Sequence, residues 1–225
     1  MQFLHRRNLI GGLGLGLVGC SAPTILRRRD APSLPITASQ GEGPFYPYDD
    51  KLSDQDSDLV RVTGVDAHAL GQITHVTGTV WNPYGAPHAG ALVEIWQCDH
   101  TGRYLHSGDP NTDRPRDPGF QGYGKAMTDA GGAFRFRTIK PVAYSAMLGG
   151  QLIWRAPHIH AAVSTGGVRR LTTQLYVAGA RQNDEDVLLQ RITPTEREGL
   201  IRPYDAGNGA EAGALAAHYD LVVAV

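Results

Sequence analysis

Cysteine is scarce in this chain: among 225 residues only Cys20 and Cys98 carry a thiol. At most one disulfide can form, so a disulfide framework is excluded and a hydrophobic core must carry the fold. Excess charge of either sign is also lacking, since 21 Lys and Arg stand against 22 Asp and Glu, a formal net of -1. Without a basic field no nucleic-acid partner is expected, and a small-molecule partner fits better. Internal repeats and low-complexity tracts are absent, which excludes solenoids and arrays. The apolar run from Leu9 to Val18 is too short to span a bilayer comfortably.

What is plentiful is glycine and proline, 28 and 14 residues spread along the chain rather than gathered in a tail. They mark many turns between short segments, as all-β domains require. The length allows one ordinary core and leaves little room for a second.

Residues 1–20 read as an export signal. Arg6 and Arg7 precede the Leu9 to Val18 run, and Arg6-Arg7-Asn8-Leu9-Ile10 is similar to a twin-arginine signal. Leu17-Val18-Gly19-Cys20 is similar to a bacterial lipobox, so Cys20 is the expected acylated first residue of an exported, periplasmic or cell-surface lipoprotein. The alternative is an ordinary secretory leader cleaved nearby, and either route takes the mature protein out of the cytoplasm. Residues 21–40, with Pro23, Pro32, Pro35 and the Arg27-Arg28-Arg29 cluster, read as a tether.

From Gly41 to Val225 the pattern predicts a β-sandwich with long active-site loops and one or two short helices. Gln72 to Trp81 alternates, with Val76, Gly78 and Val80 on one face. Ala91 to Cys98 is a second strand. Lys125 to Thr128 and Ala133 to Thr138 flank the turn Asp129-Ala130-Gly131-Gly132. Further strands are expected at Ile159 to Ser164, Leu171 to Val177 and Tyr219 to Val225. A helix is signalled where Thr193 caps, Pro194 takes the first position and Glu196 the third. Met147-Leu148-Gly149-Gly150 reads as a flexible segment.

The stretch Arg155-Ala156-Pro157-His158-Ile159-His160 carries the most chemistry. In an extended strand, residues two apart share a face, so the two imidazoles can converge on one ion while Ile159 packs inward. Pro157 supports extended geometry before it. On residues alone the pair fits either a metal site or a polar strand face. Tyr104, in Gly102-Arg103-Tyr104, and Tyr144, after Lys140-Pro141-Val142-Ala143, both fall near strand ends, where loops build sites. Each could equally be a buried aromatic with a satisfied hydroxyl.

Taken together, these pieces are more specific. Gly43-Pro44-Phe45-Tyr46, Ala91-Leu92-Val93-Glu94-Ile95-Trp96-Gln97, Asp99 with Gly102-Arg103-Tyr104, and Thr128-Asp129-Ala130-Gly131-Gly132 occur in order. Thr138-Ile139-Lys140-Pro141, Trp154 to His160 and Thr173-Gln174-Leu175-Tyr176 follow. In this the chain resembles the intradiol ring-cleavage dioxygenases, and within them the iron-binding chain of the protocatechuate-cleaving branch. The resemblance implies Fe(III) held by Tyr104, Tyr144, His158 and His160, a catechol-type substrate, O2 as co-substrate, and a muconate-type dicarboxylate product. It further implies that Tyr144 is the ligand that leaves and takes a substrate proton, that Arg155 stabilises negative charge on the ring, and that Gln174 orients the reactants. Phenolates are hard anionic donors suited to Fe(III), in keeping with that implication. Tyr46, His106 and Tyr123 are read as pocket or packing residues.

One departure concerns specificity. Ala146 stands two residues after Tyr144, where the protocatechuate branch carries tryptophan, so the pocket wall is expected to be wider or differently shaped, and the substrate need not be protocatechuate. The helical dimerisation region of the catechol and hydroxyquinol branches has no counterpart, and an oligomer is compatible with the chain without being indicated. Two other classes share features: transthyretin-like or carboxypeptidase-regulatory binding modules, through Val76 to Val80 and the Gly/Pro turns, and zinc hydrolases, through His-x-His. Neither needs two tyrosines in company with the histidine pair.

Overall fold

The computed structural model describes residues 33–207 and 211–224. Arg6, Arg7, Cys20 and the Arg27 to Arg29 cluster lie outside the described residues. Among those described, no helix is long and apolar enough to cross a membrane.

The strands, in chain order, are β1 (Ile73–Trp81), β2 (Leu92–Trp96), β3 (Tyr123–Met127), β4 (Ala133–Ile139), β5 (Tyr144–Leu148) and β6 (Gln151–Arg155). They continue as β7 (His158–Thr165), β8 (Val168–Val177), β9 (Ile201–Arg202), β10 (Asp205–Ala206), β11 (Leu215–His218) and β12 (Leu221–Val222). The helix α1 (Pro194–Leu200) and two short 3-10 turns, Arg181–Asp184 and Leu189–Arg191, fall between β8 and β9. In one sheet β1 is central, antiparallel to β4 and parallel to β11 and β12, with β10 on β11. In the other the order is β3-β2-β7-β8-β9. The fold is an all-β sandwich.

Alternation explains the core. Thr74, Val76, Gly78 and Val80 are buried along β1 while their neighbours are half-exposed. Val76, Val80, Phe134 and Phe136 of the first sheet meet Val93, Ile95, Ile159, Ala161 and Leu175 of the second in one cluster. Gly78 has no room for a side chain: a Cβ there would stand 1.9 Å from the Tyr219 carbonyl oxygen.

Three local features differ from expectation. The strand expected over Tyr219 to Val225 is displaced and broken, with β11 pairing Thr74 to Thr77 and β12 pairing Val80 and Trp81. At the break Tyr219 buries its ring, and the Asp220 carboxylate accepts the Thr79 N–H at 3.1 Å in place of a ladder bond. Met147 to Gly150 belongs to the hairpin β5–β6, whose turn glycines 149 and 150 take φ of 57° and 81°, the left-handed pair a two-residue hairpin turn needs. Finally, from Leu34 onward the segment read as tether runs along the sandwich: Thr37 N–H donates to Val222 and Gln40 N–H to Thr172, at 3.0 and 2.8 Å, so it touches both sheets. The α1 cap forms as expected, with reciprocal bonds between Thr193 and Glu196.

Candidate metal centre

The alternation of β7 that sends Ile159, Ala161 and Val163 into the sandwich sends His158 and His160 to the outer face of the second sheet. Cross-strand register sets their neighbours there: His160 lies between Trp96 on β2 and Gln174 on β8, and His158 opposite Tyr176. The Trp96 indole stacks on the His160 ring, centroids 4.9 Å apart and planes at 8°. This face is covered by the long β2–β3 connection, by the β5–β6 hairpin and by the Gln40 to Tyr46 segment.

Each cover delivers a tyrosine or a lid. In the β2–β3 connection the Asp99 carboxylate gathers the Thr101, Arg103 and Asp117 N–H groups at 2.8, 3.1 and 3.0 Å, and Asp109 accepts the Tyr104 N–H at 2.6 Å. Gly102, at φ 87°, lets the chain pass Tyr144: a Cβ there would lie 3.2 Å from the Tyr144 Cβ. Tyr144 opens β5 directly opposite Arg155 at the end of β6. Phe45 closes over Tyr104 with centroids 4.9 Å apart, and the Gly43 backbone lies against the His160 ring.

The structure therefore brings Tyr104, Tyr144, His158 and His160 together, all at most 2% exposed. The two imidazole Nε2 atoms face each other at 3.1 Å, and the Tyr144 hydroxyl lies 3.4 Å from His158 Nε2. The Tyr104 ring sits edge-on to Tyr144 at 5.0 Å and 6.0 Å from His160. His158 Nδ1 is 2.6 Å from the Ala156 carbonyl, which only a protonated Nδ1 can satisfy, so the neutral ring presents a lone pair at Nε2. Tyr104 Oη and His160 Nδ1 are buried without a partner.

Electrostatics favours neutral forms of all four groups when no ion is present. Burial holds both imidazoles well below the usual histidine range, with Arg155 contributing at His158 and His158 itself at His160. Burial also pushes both phenols up; Tyr144 adds to the rise at Tyr104, while Arg155 opposes it at Tyr144. Such a cluster suits a cation. Two nitrogen ligands at ~2.1 Å from one ion and at right angles stand ~3 Å apart, the spacing seen between the Nε2 atoms. The orphaned Tyr104 phenol, its ring 6.0 Å from that of His160, would gain a partner as an anionic donor to such an ion. Among the described residues no group of three His, Cys, Asp or Glu could hold a metal, and the further oxygen donors beside the two imidazoles are the two phenols.

Other side chains named from sequence fall around this point. Tyr46 and Tyr123 each donate to the buried Glu94 carboxylate at 2.6 Å, a layer behind Trp96, and His106 lies at the rim, 5.8 Å from Phe45. Burial acts to raise the Glu94 carboxyl but is outweighed by bonds from Tyr123, Tyr46 and Arg169, which hold it below the usual range. Ala146 is buried in the same cluster as Phe45, Tyr104 and Tyr144. Gln174 Oε1 accepts from Arg155 Nη2 at 2.6 Å and from the Tyr176 hydroxyl at 2.9 Å, and its Nε2 donates to Gly41. Sequence reasoning missed Asp186, fully buried and 2.9 Å from Arg155 Nε. Its position in the polar run Asn183-Asp184-Glu185-Asp186 reads as solvated; the signal that could have found it is Val187-Leu188-Leu189 just after it.

A sequence model described as "Dioxygenase" matches residues 42–225, 82% or so of the chain by those bounds. The chain belongs to the intradiol ring-cleavage dioxygenase family. A protocatechuate 3,4-dioxygenase beta chain from Burkholderia cepacia is 35% identical over 225 residues, covering 90% of this chain and 95% of that one. Catechol 1,2-dioxygenase 2 from Acinetobacter lwoffii is 35% identical over 170 residues, 71% of this chain but 56% of its own length. Among solved intradiol dioxygenases, the dioxygenase domain of a dioxygenase and carbohydrate-binding protein fusion from Streptomyces sp. SirexAA-E superposes with a TM-score of 0.60 at 27% identity, over 85% of this chain and 99% of that one. Catechol 1,2-dioxygenase from Acinetobacter sp. ADP1 superposes with a TM-score of 0.62 at 27% identity, over 84% of this chain and 62% of that one. Members of this family use non-haem iron.

Proposed function

We propose that this protein cleaves the ring of a catechol-type aromatic between its two hydroxylated carbons, placing both atoms of O2 in the two carboxylates of a muconate-type product. The observation that carries the reading is the pair of Nε2 atoms 3.1 Å apart with two buried phenols beside them. Tyr104, Tyr144, His158 and His160 hold Fe(III), which when bound supplies the Lewis acidity and electron-accepting character that ring cleavage needs.

The protein's own groups do the rest. With the ion held, Tyr144 would be a phenolate, and its oxygen, 3.4 Å from His158 Nε2, would be the base positioned to take a proton from a substrate hydroxyl. Arg155 places a fixed positive charge beside Tyr144, where negative charge on the ring builds up. Gln174 contributes by holding Arg155 Nη2, since its amide is already committed to Arg155, Tyr176 and Gly41. Phe45 and Trp96 keep water from the centre. The buried Ala146, in place of a bulky side chain, favours substrates broader than protocatechuate. We extend the proposal to export and lipid attachment through Cys20, supported by the Arg6-Arg7 and lipobox-like signals.

The test is to load the purified protein with iron, record its visible absorption, and add catechol, protocatechuate and hydroxyquinol in turn while following oxygen uptake. Tyrosinate-to-iron colour and uptake with at least one substrate are expected, with uptake lost in His160→Ala. A colourless iron-loaded protein, or full uptake in His160→Ala, rejects the ligand set.

A further inference from the structure

We infer that Asp186 is a positioning residue for Arg155: its buried carboxylate locks the guanidinium in one orientation and so aims its remaining N–H groups at the ring-cleavage site. The inference rests on the dioxygenase function proposed above.

The geometry is unusually complete for one side chain. Asp186 is 0% exposed. Its Oδ2 accepts from Arg155 Nε at 2.9 Å and from the Ala156 N–H at 2.8 Å, and its Oδ1 accepts from the Leu188 and Leu189 N–H groups at 3.0 Å each. Four donors satisfy the carboxylate, so a buried charge is held without an orphaned lone pair, the condition under which such a pair is tolerated. The second anchor on Arg155 is Gln174, with Tyr176 at 3.5 Å. Nε and Nη2 are thus committed, and the hydrogen bonds Arg155 makes among the described residues leave Nη1 unused. That leaves one edge of a planar, fixed guanidinium for a ligand, opposite Tyr144 in the β5–β6 register.

Asp186 also reaches the metal side of the site. The Ala156 N–H it holds belongs to the residue whose carbonyl sets the His158 tautomer at 2.6 Å. One carboxylate therefore fixes both the charge that faces the ring and the turn that leads into β7. A staple that merely held Leu188 and Leu189 in place would need neither contact.

The experiment is a double-mutant cycle on the iron-loaded protein, using Asp186→Asn, Arg155→Met and the pair, with catechol-driven oxygen uptake as the assay. Asp186→Asn keeps the shape and loses the charge. It is expected to lower kcat/KM by about tenfold to a hundredfold, chiefly in kcat, as a misaimed group does. Iron content and the visible band of the substrate-free protein are expected to stay as in wild type. Adding Asp186→Asn to Arg155→Met is expected to cost far less than Asp186→Asn costs alone, because the amide oxygen can still accept the Ala156 N–H. Additive losses, or wild-type kcat in Asp186→Asn, overturn the inference and leave Asp186 as a loop staple. Arg155→Lys serves if Asp186→Asn does not fold: it keeps the charge but has no Nε donor, and is expected to lose about tenfold or more; wild-type kcat there overturns the inference equally. An iron-loaded wild type that consumes no oxygen with any catechol removes the functional reading itself, and the inference with it, which is a different result from an active wild type with an unaffected variant.

Discussion

Replacing Tyr104 by Phe is predicted to stabilise the metal-free protein while destroying its response to iron. The Tyr104 hydroxyl is buried, its residue 1% exposed, and makes no hydrogen bond of standard geometry, the Tyr144 hydroxyl being a weak polar neighbour at most. A buried polar group left unsatisfied costs about 1–3 kcal/mol, and removing the oxygen relieves that cost while leaving the ring in contact with Phe45 and Tyr144. Taking the lower end, ~1 kcal/mol raises Tm by about 2–4 °C for a domain of this size. With iron the sign reverses: a metal present at ~100 times its Kd adds about 2.7 kcal/mol to a protein that binds it, and the variant lacks one donor. Thermal melts of chelator-treated and iron-loaded protein measure both terms. Tyr46→Phe and Tyr123→Phe are the internal controls, because each hydroxyl donates to Glu94 at 2.6 Å and its removal is expected to destabilise both forms. If metal-free Tyr104→Phe melts below wild type, the hydroxyl is not an orphan awaiting a cation, and the reasoning fails.

Three further outcomes are expected. Burial holds His158 and His160 neutral in the folded, metal-free protein, whereas in the unfolded chain they charge below ~6.5; the unfolded state then binds more protons, so stability is intact above ~6.5 and falls as pH drops below it, by up to about 2.7 kcal/mol per pH unit for two groups. Denaturant titrations between pH 7 and 5 check this, and the dependence should flatten in a His158→Gln, His160→Gln double variant. Gly78→Ala drives a Cβ to 1.9 Å from the Tyr219 carbonyl oxygen and is expected to cost about 3 kcal/mol, read from the urea midpoint. Ala146→Trp, which fills the wall beside Tyr104 and Tyr144, is expected to shift the ratio of kcat/KM values towards the smallest catechol accepted, and an unchanged ratio shows that this wall does not face the substrate.

Much of this molecule could be read from its residues because the relevant physics is local. Alternation in β1 and β7 decides which side chains face the core, so the shared face of His158 and His160 follows from their spacing alone, and the turn at Asp129 to Gly132 and the Thr193 cap are written in four residues each. What the tertiary structure alone decided are meetings across long stretches of chain. Tyr104 reaches Tyr144 only because Asp99 and Asp109 fold the β2–β3 connection back on the sheet, and Asp186 finds Arg155 because the turn after β8 returns beneath β6. The break between β11 and β12 depends in the same way on Asp220 meeting Thr79. Pattern records a residue's own strand or turn; the partner that satisfies a buried charge or a free N–H depends on the path of the whole chain, and no short window contains it.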